Sequence, residues 1–400
     1  MQSQPATTAD GLSPHRLLFL VTEDWYFWAH LLTLARAARD AGYAVTVATR
    51  VGKLGEALKA EGFAVEPLAW VRGSVNPFWL AADVVAIARL YRRLRPHIVH
   101  HVSLKPVVLG SFAALFCRGV AVLNALTGLG YTFTARSLRA RVLAGAVRAV
   151  LRPLLRRKAT ITLLENGDDR RVMIEQVGVP AAQTAVNRGS GVDLARFSEM
   201  PLPGDDLVTV ACASRMLGIK GIGDLVAASR ILQAQGIPHR LVLAGDTDPE
   251  NPDAIPDATL RGWVARDGVE WLGHVSDVKG LWQRTDIAVL ASLGGEGVPL
   301  SLVEAAACGR PLVATDVPGS RDIAQKDVNA LLVPPGDPAA LAGALAQLIQ
   351  NSDMRRAFAA ASRVIAASGF SSETIVAATL ALYQKLLAEA APPVTISRSL

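Results

Sequence analysis

The sequence predicts an α/β protein built from two doubly wound units in series. Three observations carry this reading. Short β-rich runs alternate with helical patterns from residue 16 onward, which predicts parallel strands with helices on both faces. The alternation lapses in a Gly- and Pro-rich stretch, RGSGVDLARFSEMPLPGDD at 188–206, and then begins again. At 400 residues the chain exceeds one compact open sheet, and 51% hydrophobic against 19% charged residues suits strands covered on both sides.

In order, the first series of strands is RLLFLVT (16–22), YAVTVAT (43–49), FAVEPL (63–68), HIVHHVS (97–103), VAVLNAL (120–126) and ATITLLE (159–165). The second is LVTVACAS (207–214), HRLVLAG (239–245), VEWLGH (269–274), DIAVLAS (286–292), RPLVATD (310–316) and NALLVP (329–334). The boundary falls near residue 200, giving domains at 1–200 and 201–370. After Asp337 the chain turns helical. The segment 371–390 has a Ser-x-Glu start and apolar residues at helical spacing, and is a candidate to pack back on the first half. The tail APPVTISRSL reads as frayed.

Several function classes recede on composition. The longest apolar candidate for a membrane span, Pro106 to Cys117, is stopped by Arg118 and reads as a short helix. The start, MQSQPATTADG, has no basic region ahead of LLFLV, so a signal peptide is not expected and a cytoplasmic protein is. Cys117, Cys212 and Cys308 lie far apart in apolar stretches, which suits reduced core residues. The net charge of +6 suits a nucleic acid, an anionic membrane or phosphorylated ligands alike, so its location decides. No zinc pattern or RNA-binding signature supports nucleic acid. Neither G-x-G-x-x-G after the first strand nor G-x-x-x-x-G-K-[ST] is present for a nicotinamide or P-loop enzyme.

Ligands of open α/β sheets bind at the carboxyl ends of strands, where helix N-termini favour anions. The loop after DIAVLAS is the strongest candidate. Gly294, Gly295 and Gly297 allow close backbone approach, Pro299 suits a first helical turn, and Ser301 to Ala307 continues the helix. Glu296 then lies in the loop and Glu304 within the helix, on the order of 10 Å apart along the axis. Such carboxylates suit a sugar hydroxyl and a ribose hydroxyl on either side of a phosphate, although spacing alone allows two unrelated glutamates. Arg215 and Lys220 flank a glycine-bearing turn after the strand 207–214, where two cations would neutralise a diphosphate.

Together these pieces resemble the family-4 retaining glycosyltransferases of GT-B fold, in which two Rossmann-like domains face each other across a cleft, and most closely the bacterial surface-polysaccharide branch. The resemblance covers most of the chain. It rests on EGVPLSLVEAAACGRPLVATDVPG from Glu296 and the later NALLVPPGD, supported by Arg215 with Lys220-Gly221, GSGVD (189–193), LTGLGYTF (126–133) and TEDWYFWAH (22–30). It implies that Glu304 binds the nucleotide ribose, Glu296 the donor sugar, and Arg215 and Lys220 the diphosphate. Gly295, Gly297, Val298, Pro299, Leu300, Ser301, Gly245 and His274 complete the implied donor site. His100 or His101 would stand near the reacting sugar, and Trp25, Tyr26, Lys105 and Gly128 would meet the acceptor. Three departures stand out: Gly294 and Gly295 replace bulkier or basic residues, Leu300 a Lys, and Leu31 an Arg, which implies a shifted donor or acceptor preference.

The implied reaction moves a hexose or N-acetylhexosamine from a nucleotide diphosphate sugar, a UDP-sugar first among them, to a saccharide or polyprenyl-diphosphate-linked acceptor. No metal or other cofactor is expected, because cations and the helix start can stabilise the leaving diphosphate. Asp246-Thr247-Asp248 matches a metal-binding triplet of another transferase fold, but reads more simply as a polar loop. ARSLRARVLAGAVRAVLRPLLRRK (135–158) either lies on anionic lipid, making the enzyme peripheral on the inner face of the membrane, or is a solvated surface helix. The rival functions are a sugar-nucleotide epimerase of the same shape and a non-catalytic sugar-binding module.

Overall fold

The computed structural model describes residues 14–69, 76–129, 138–204 and 207–390. The chain forms two compact units. The first holds the described residues up to Thr127, those from Leu138 to Asn187 and those from Val376 on; the second holds Gly128, Leu129 and the described residues from Arg188 to Ile375.

Seven parallel strands make the first unit's sheet: β1 (Arg16–Glu23), β2 (Ala44–Arg50), β3 (Ala64–Pro67), β4 (Ile98–Val102), β5 (Ala121–Leu126), β6 (Thr160–Leu164) and β7 (Thr184–Val186), in the order β3-β2-β1-β4-β5-β6-β7. Phe19 of β1 pairs with Val47 on one side and His100 on the other, so the order reverses between β1 and β4. Side chains alternate between the two faces of a strand. Leu17, Phe19 and Val21 accordingly enter one core with Phe27, Leu123 and Ile161, while Leu18 and Leu20 enter a second with Ile87, Tyr91, Leu109 and Ala113. Burial on both faces explains why β4, β5 and β6 carry almost no charge. Tyr383 and Leu386, from the helix Ser372–Ala390, are buried in the first of these cores, and Asn187 donates to Thr379 at 2.8 Å.

The second unit repeats the plan with β8 (Thr209–Ala213), β9 (Arg240–Ala244), β10 (Val269–Trp271), β11 (Ile287–Leu290), β12 (Leu312–Thr315) and β13 (Ala330–Val333), ordered β10-β9-β8-β11-β12-β13 and all parallel. Helix starts are fixed by residues suited to them. Asp337 accepts from Ala340 N at 2.9 Å ahead of Pro338, and Asn351 accepts from Met354 N at 2.9 Å. The irregular stretch after Arg188 is held by two arginines. Buried Arg310 donates to the carbonyls of Thr285, Met200, Pro201 and Cys308, and Arg363 to those of Phe197 and Ala307.

All twelve strands read from the sequence form, most of them shortened at one or both ends. β7 was not foreseen, because three residues after a 3-10 turn carry no period that a strand pattern could show. The apolar segment at 106–117 ends its helix, Leu104–Ala114, before Cys117. The three cysteines are free and buried. Among the described residues no helix is long and apolar enough to cross a membrane.

Candidate functional site

In the second unit the order of strands reverses at β8 and β11, and the loops leaving their carboxyl ends meet there. The strand β11 stops at Leu290, so Ala291 to Pro299 are loop, with Gly294 at φ 144° and Gly295 at φ 76°. The turn Gly218–Lys220 leaves β8, and its Ile219 carbonyl accepts from Leu293 N at 2.8 Å. Gly221 then turns left-handed at φ 66°, and a β-carbon there would overlap the carbonyl oxygen of Ala291. A residue other than glycine would push the two loops apart.

Their contact creates a buried polar chain. Glu296 is 8% exposed, and its Oε1 accepts from Lys220 Nζ at 2.6 Å and from Ser292 Oγ. Ser292 is itself held, since Thr315 Oγ1 at the end of β12 donates to its carbonyl at 2.5 Å. Glu296 is thus fixed from β8, β11 and β12 at once, and its charge is balanced by a cation as burial requires. A further glycine closes the loop from beneath. At Gly319, φ 81°, a β-carbon would overlap the carbonyl oxygen of Gly297. The backbone of Gly128 also packs against residues 295–297.

Pro299 precedes the helix Leu300–Ala307, and no side chain caps that start. The first-turn N–H groups and the helix dipole therefore point toward the loop. Val298 is buried; Leu300 and Ser301 are partly accessible. Gly189 lies against Val298, and Asp193 of the same GSGVD segment accepts from the backbones of Ala195 and Arg196 at 2.9 and 3.0 Å.

Glu304 has a separate environment. It is partly accessible, yet burial drives its carboxyl up from 4.5 to about 7, while the Arg196 guanidinium lowers it in part. The Trp282 indole also lowers it in part. Cys308, one helical turn on, is pushed to about 11 chiefly by burial.

The other expected residues are more dispersed. Arg215 donates to Asp248 at 2.9 Å, and Asp246 lies 3.9 Å from His274, so the two aspartates face different partners. Among the described residues no group of three or more His, Cys, Asp or Glu is placed to hold a metal. Gly245 donates to Gly273 O at 2.7 Å and accepts from the Trp271 indole at 2.9 Å, which fixes the loop after β9.

In the first unit stand His100 and His101, expected near the reacting sugar. Both lie inside β4, fully buried. His100 Nδ1 meets Tyr383 OH at 2.7 Å; His101 meets Asn124 Oδ1 at 2.7 Å and Tyr91 OH at 2.8 Å. Burial lowers them to about 3 and about 4, so both are neutral. Trp25 is 39% exposed on the helix Asp24–His30, and the Tyr26 and His30 rings lie tilted with centres 4.4 Å apart, while Phe27 is core. Asp24 receives the N–H groups of Gly52 and Leu54 at 2.6 and 3.0 Å, which ties the start of this helix to the loop after β2. Lys105 stands 3.7 Å from Asp83. Of LTGLGYTF, residues 130–133 lie outside the described residues, as do 135–137 of the basic segment.

Ser292, Thr315, Gly319, Trp282 and Arg196 were not singled out by sequence. A serine four positions before a loop glutamate was the one available hint, and the fold turns it toward Glu296.

Two family models match the two halves: "Glycosyl transferase 4-like" over residues 16–163 and "Glycosyl transferases group 1" over 208–351. Among curated relatives, the putative colanic acid biosynthesis glycosyltransferase WcaL of Escherichia coli K12 is 31% identical over 186 residues, 44% of this chain and 45% of that protein. The first relatives are therefore matched over less than half their length. A Campylobacter jejuni enzyme, N,N'-diacetylbacillosaminyl-diphospho-undecaprenol alpha-1,3-N-acetylgalactosaminyltransferase, is 23% identical over 72% of this chain and 77% of its own. In fold, the structure of Anabaena Alr3699/HepE in complex with UDP aligns with a TM-score of 0.74 at 21% identity, covering 92% of this chain and 100% of that one. The two halves of the chain thus match a glycosyl transferase 4-like domain and a glycosyl transferases group 1 domain, and the chain has the GT-B fold.

Proposed function

We propose that the protein transfers a hexose or N-acetylhexosamine from a uridine diphosphate sugar to a saccharide or polyprenyl-diphosphate-linked acceptor in polysaccharide assembly, with retention at the anomeric carbon. The observation that carries this is the buried Lys220–Glu296–Ser292 chain beside an uncapped helix start. Ser292 and Lys220 both use Oε1, and in this reading Oε2 accepts a donor-sugar hydroxyl. The Lys220 ammonium has three protons and can hold Glu296 and a phosphate oxygen together. As the anomeric C–O bond breaks, negative charge grows on the diphosphate. Lys220, Arg215 and the N–H groups at the start of Leu300–Ala307 stabilise it, and that preorganised stabilisation is the main catalytic demand. The acceptor oxygen bonds to the anomeric carbon on the face the diphosphate leaves, and its proton passes to the departing phosphate oxygen. Glu304, with Arg196 and Trp282 about it, takes the ribose hydroxyls.

Relatives named for colanic acid and for a diphospho-undecaprenol acceptor support the acceptor class, and a fold neighbour in complex with UDP supports the donor base. An acceptor of that kind puts the enzyme on the cytoplasmic face of a membrane, where exposed Arg152 and Arg156 at the end of the helix Leu138–Leu155 favour anionic lipid.

The test is a panel of nucleotide sugars screened by thermal shift, followed by product analysis in excess EDTA. Transfer to an added acceptor with EDTA present is expected. Loss of activity in EDTA, restored by manganese, would overturn the metal-free mechanism, and an altered sugar from donor alone would point to an epimerase.

A further inference from the structure

We propose that the hollow between the helices Ile222–Ala234 and Asp257–Asp267 binds a pyranose unit of a neutral saccharide, at a site separate from the donor pocket. The inference goes beyond the transfer reaction and does not depend on which donor is used.

The hollow measures about 430 Å³, toward the small end of the roughly 300–1,000 Å³ of small-molecule sites. Its floor is the loop 252–256, and backbone hydrogen bonds tie that loop to the turn Gly218–Lys220. Gly218 N donates to Asp253 O at 2.9 Å, Ile219 N to the Asp253 carboxylate at 2.6 Å, and Ile255 N to Met216 O at 2.9 Å. Pro252 and Pro256 stiffen the loop further. A hollow held in this way is formed before any ligand arrives. The same turn separates it from the donor site, since Gly218 and Gly221 line the hollow while Lys220 between them reaches Glu296.

Three polar side chains border it. Asp224 stands in the first turn of Ile222–Ala234, and Thr259 and Trp263 lie one turn apart on one face of Asp257–Asp267. All three are half-buried, and none of them has a side-chain hydrogen bond or ion pair among the described residues. Burial pushes the Asp224 carboxyl above its ordinary value, and no neighbouring cation offsets that cost. The helix dipole accounts for an acid in that turn. It does not account for an indole N–H and a hydroxyl left unsatisfied beside the same hollow.

The chemistry selects the occupant. The Asp224 carboxylate accepts, the Trp263 indole donates, and the Thr259 hydroxyl does both, so the ligand must give and take hydrogen bonds within one small space. Sugar hydroxyls do this. An ammonium has no acceptor for the indole N–H, and an anion would meet the Asp224 carboxylate with no Lys or Arg among the residues lining the hollow. Ile255, the two prolines and the indole ring supply apolar surface for the C–H face of a pyranose.

The test is saturation-transfer NMR on the full chain with UDP in excess, using the methyl glycosides of glucose, galactose, mannose and N-acetylglucosamine and the disaccharides lactose and cellobiose. At least one is expected to bind with a Kd on the order of 1 mM, the strength that about a dozen non-hydrogen atoms supply. Asp224→Ala removes the carboxylate, and Gly223→Phe fills the hollow from a helical position where an added β-carbon meets nothing within 4 Å. Each should weaken that binding by at least about tenfold, while the thermal shift given by UDP stays as in the wild type. Cellobiose binding tighter than methyl glucoside marks a glycan chain as the occupant and equal binding a single sugar, and both uphold the site. Wild-type protein that binds none of these sugars, or variants that bind them as it does, overturn the proposal. So does an Asp224-dependent response to tetramethylammonium without one to any sugar, which would make the hollow a cation site.

Discussion

Replacing Glu304 with glutamine should make the protein more stable at alkaline pH while it loses nucleotide affinity. The folded-state pKa of Glu304 is raised from 4.5 to about 7, chiefly by burial. The folded protein therefore holds this proton more tightly than the unfolded chain does. Its contribution is fully present below about 4.5, falls as pH rises, and is lost above about 7. A shift of this size corresponds to about 3 kcal/mol, and partial accessibility reduces the figure to about 2–3 kcal/mol. Glu304→Gln removes the titration. The variant should match the wild type near pH 4.5 and exceed it by about 2–3 kcal/mol at pH 8, or about 5–10 °C in Tm for a unit of this size. Urea unfolding of both proteins at four pH values from 4.5 to 8 reads the difference directly. UDP binding should weaken about 10- to 100-fold, as expected when hydroxyls lose a charged acceptor. A stability difference that stays constant across the pH series would refute the burial argument; unchanged UDP affinity would remove the ribose role.

Two further substitutions probe the loops that hold Glu296. Ser292→Ala should lower kcat on the order of tenfold with KM little changed, and Ser292→Thr should restore most of it; steady-state rates on a UDP-sugar decide, and a variant equal to wild type removes the positioning role. Gly319→Ala places a β-carbon on the Gly297 carbonyl in a left-handed backbone, so a loss of more than about 2 kcal/mol in urea unfolding and of the UDP thermal shift is expected. Wild-type behaviour in both measurements would mean that the loop can move aside.

Much of the fold was legible because parallel strands buried on both faces leave a near-continuous apolar run, as in ATITLLE, and such runs recur between helices. The loop glycines were legible for the same local reason, since Gly221 and Gly295 stand where the backbone turns left-handed. Residue type could not supply partners. Arg215 and Lys220 looked equivalent in sequence, five positions apart on one turn. The fold turns Lys220 to Glu296 and Arg215 to Asp248, because the Gly218–Lys220 turn and the Asp253 carboxylate that receives Ile219 N rotate the chain between them. The burial of His100 and His101 was hidden for a related reason. An apolar run with two histidines reads the same whether its end opens on a site or is roofed by Tyr91 and Tyr383, and those tyrosines lie 10 and 283 residues away in the chain. What sequence identified at the donor loop were residues whose function depends on local backbone. What it missed, Ser292, Thr315 and Trp282, act through partners that residue type does not name: the pairing of β11 with β12 brings Thr315 to the Ser292 carbonyl, and the reversal at β8 and β11 brings Lys220 to Glu296.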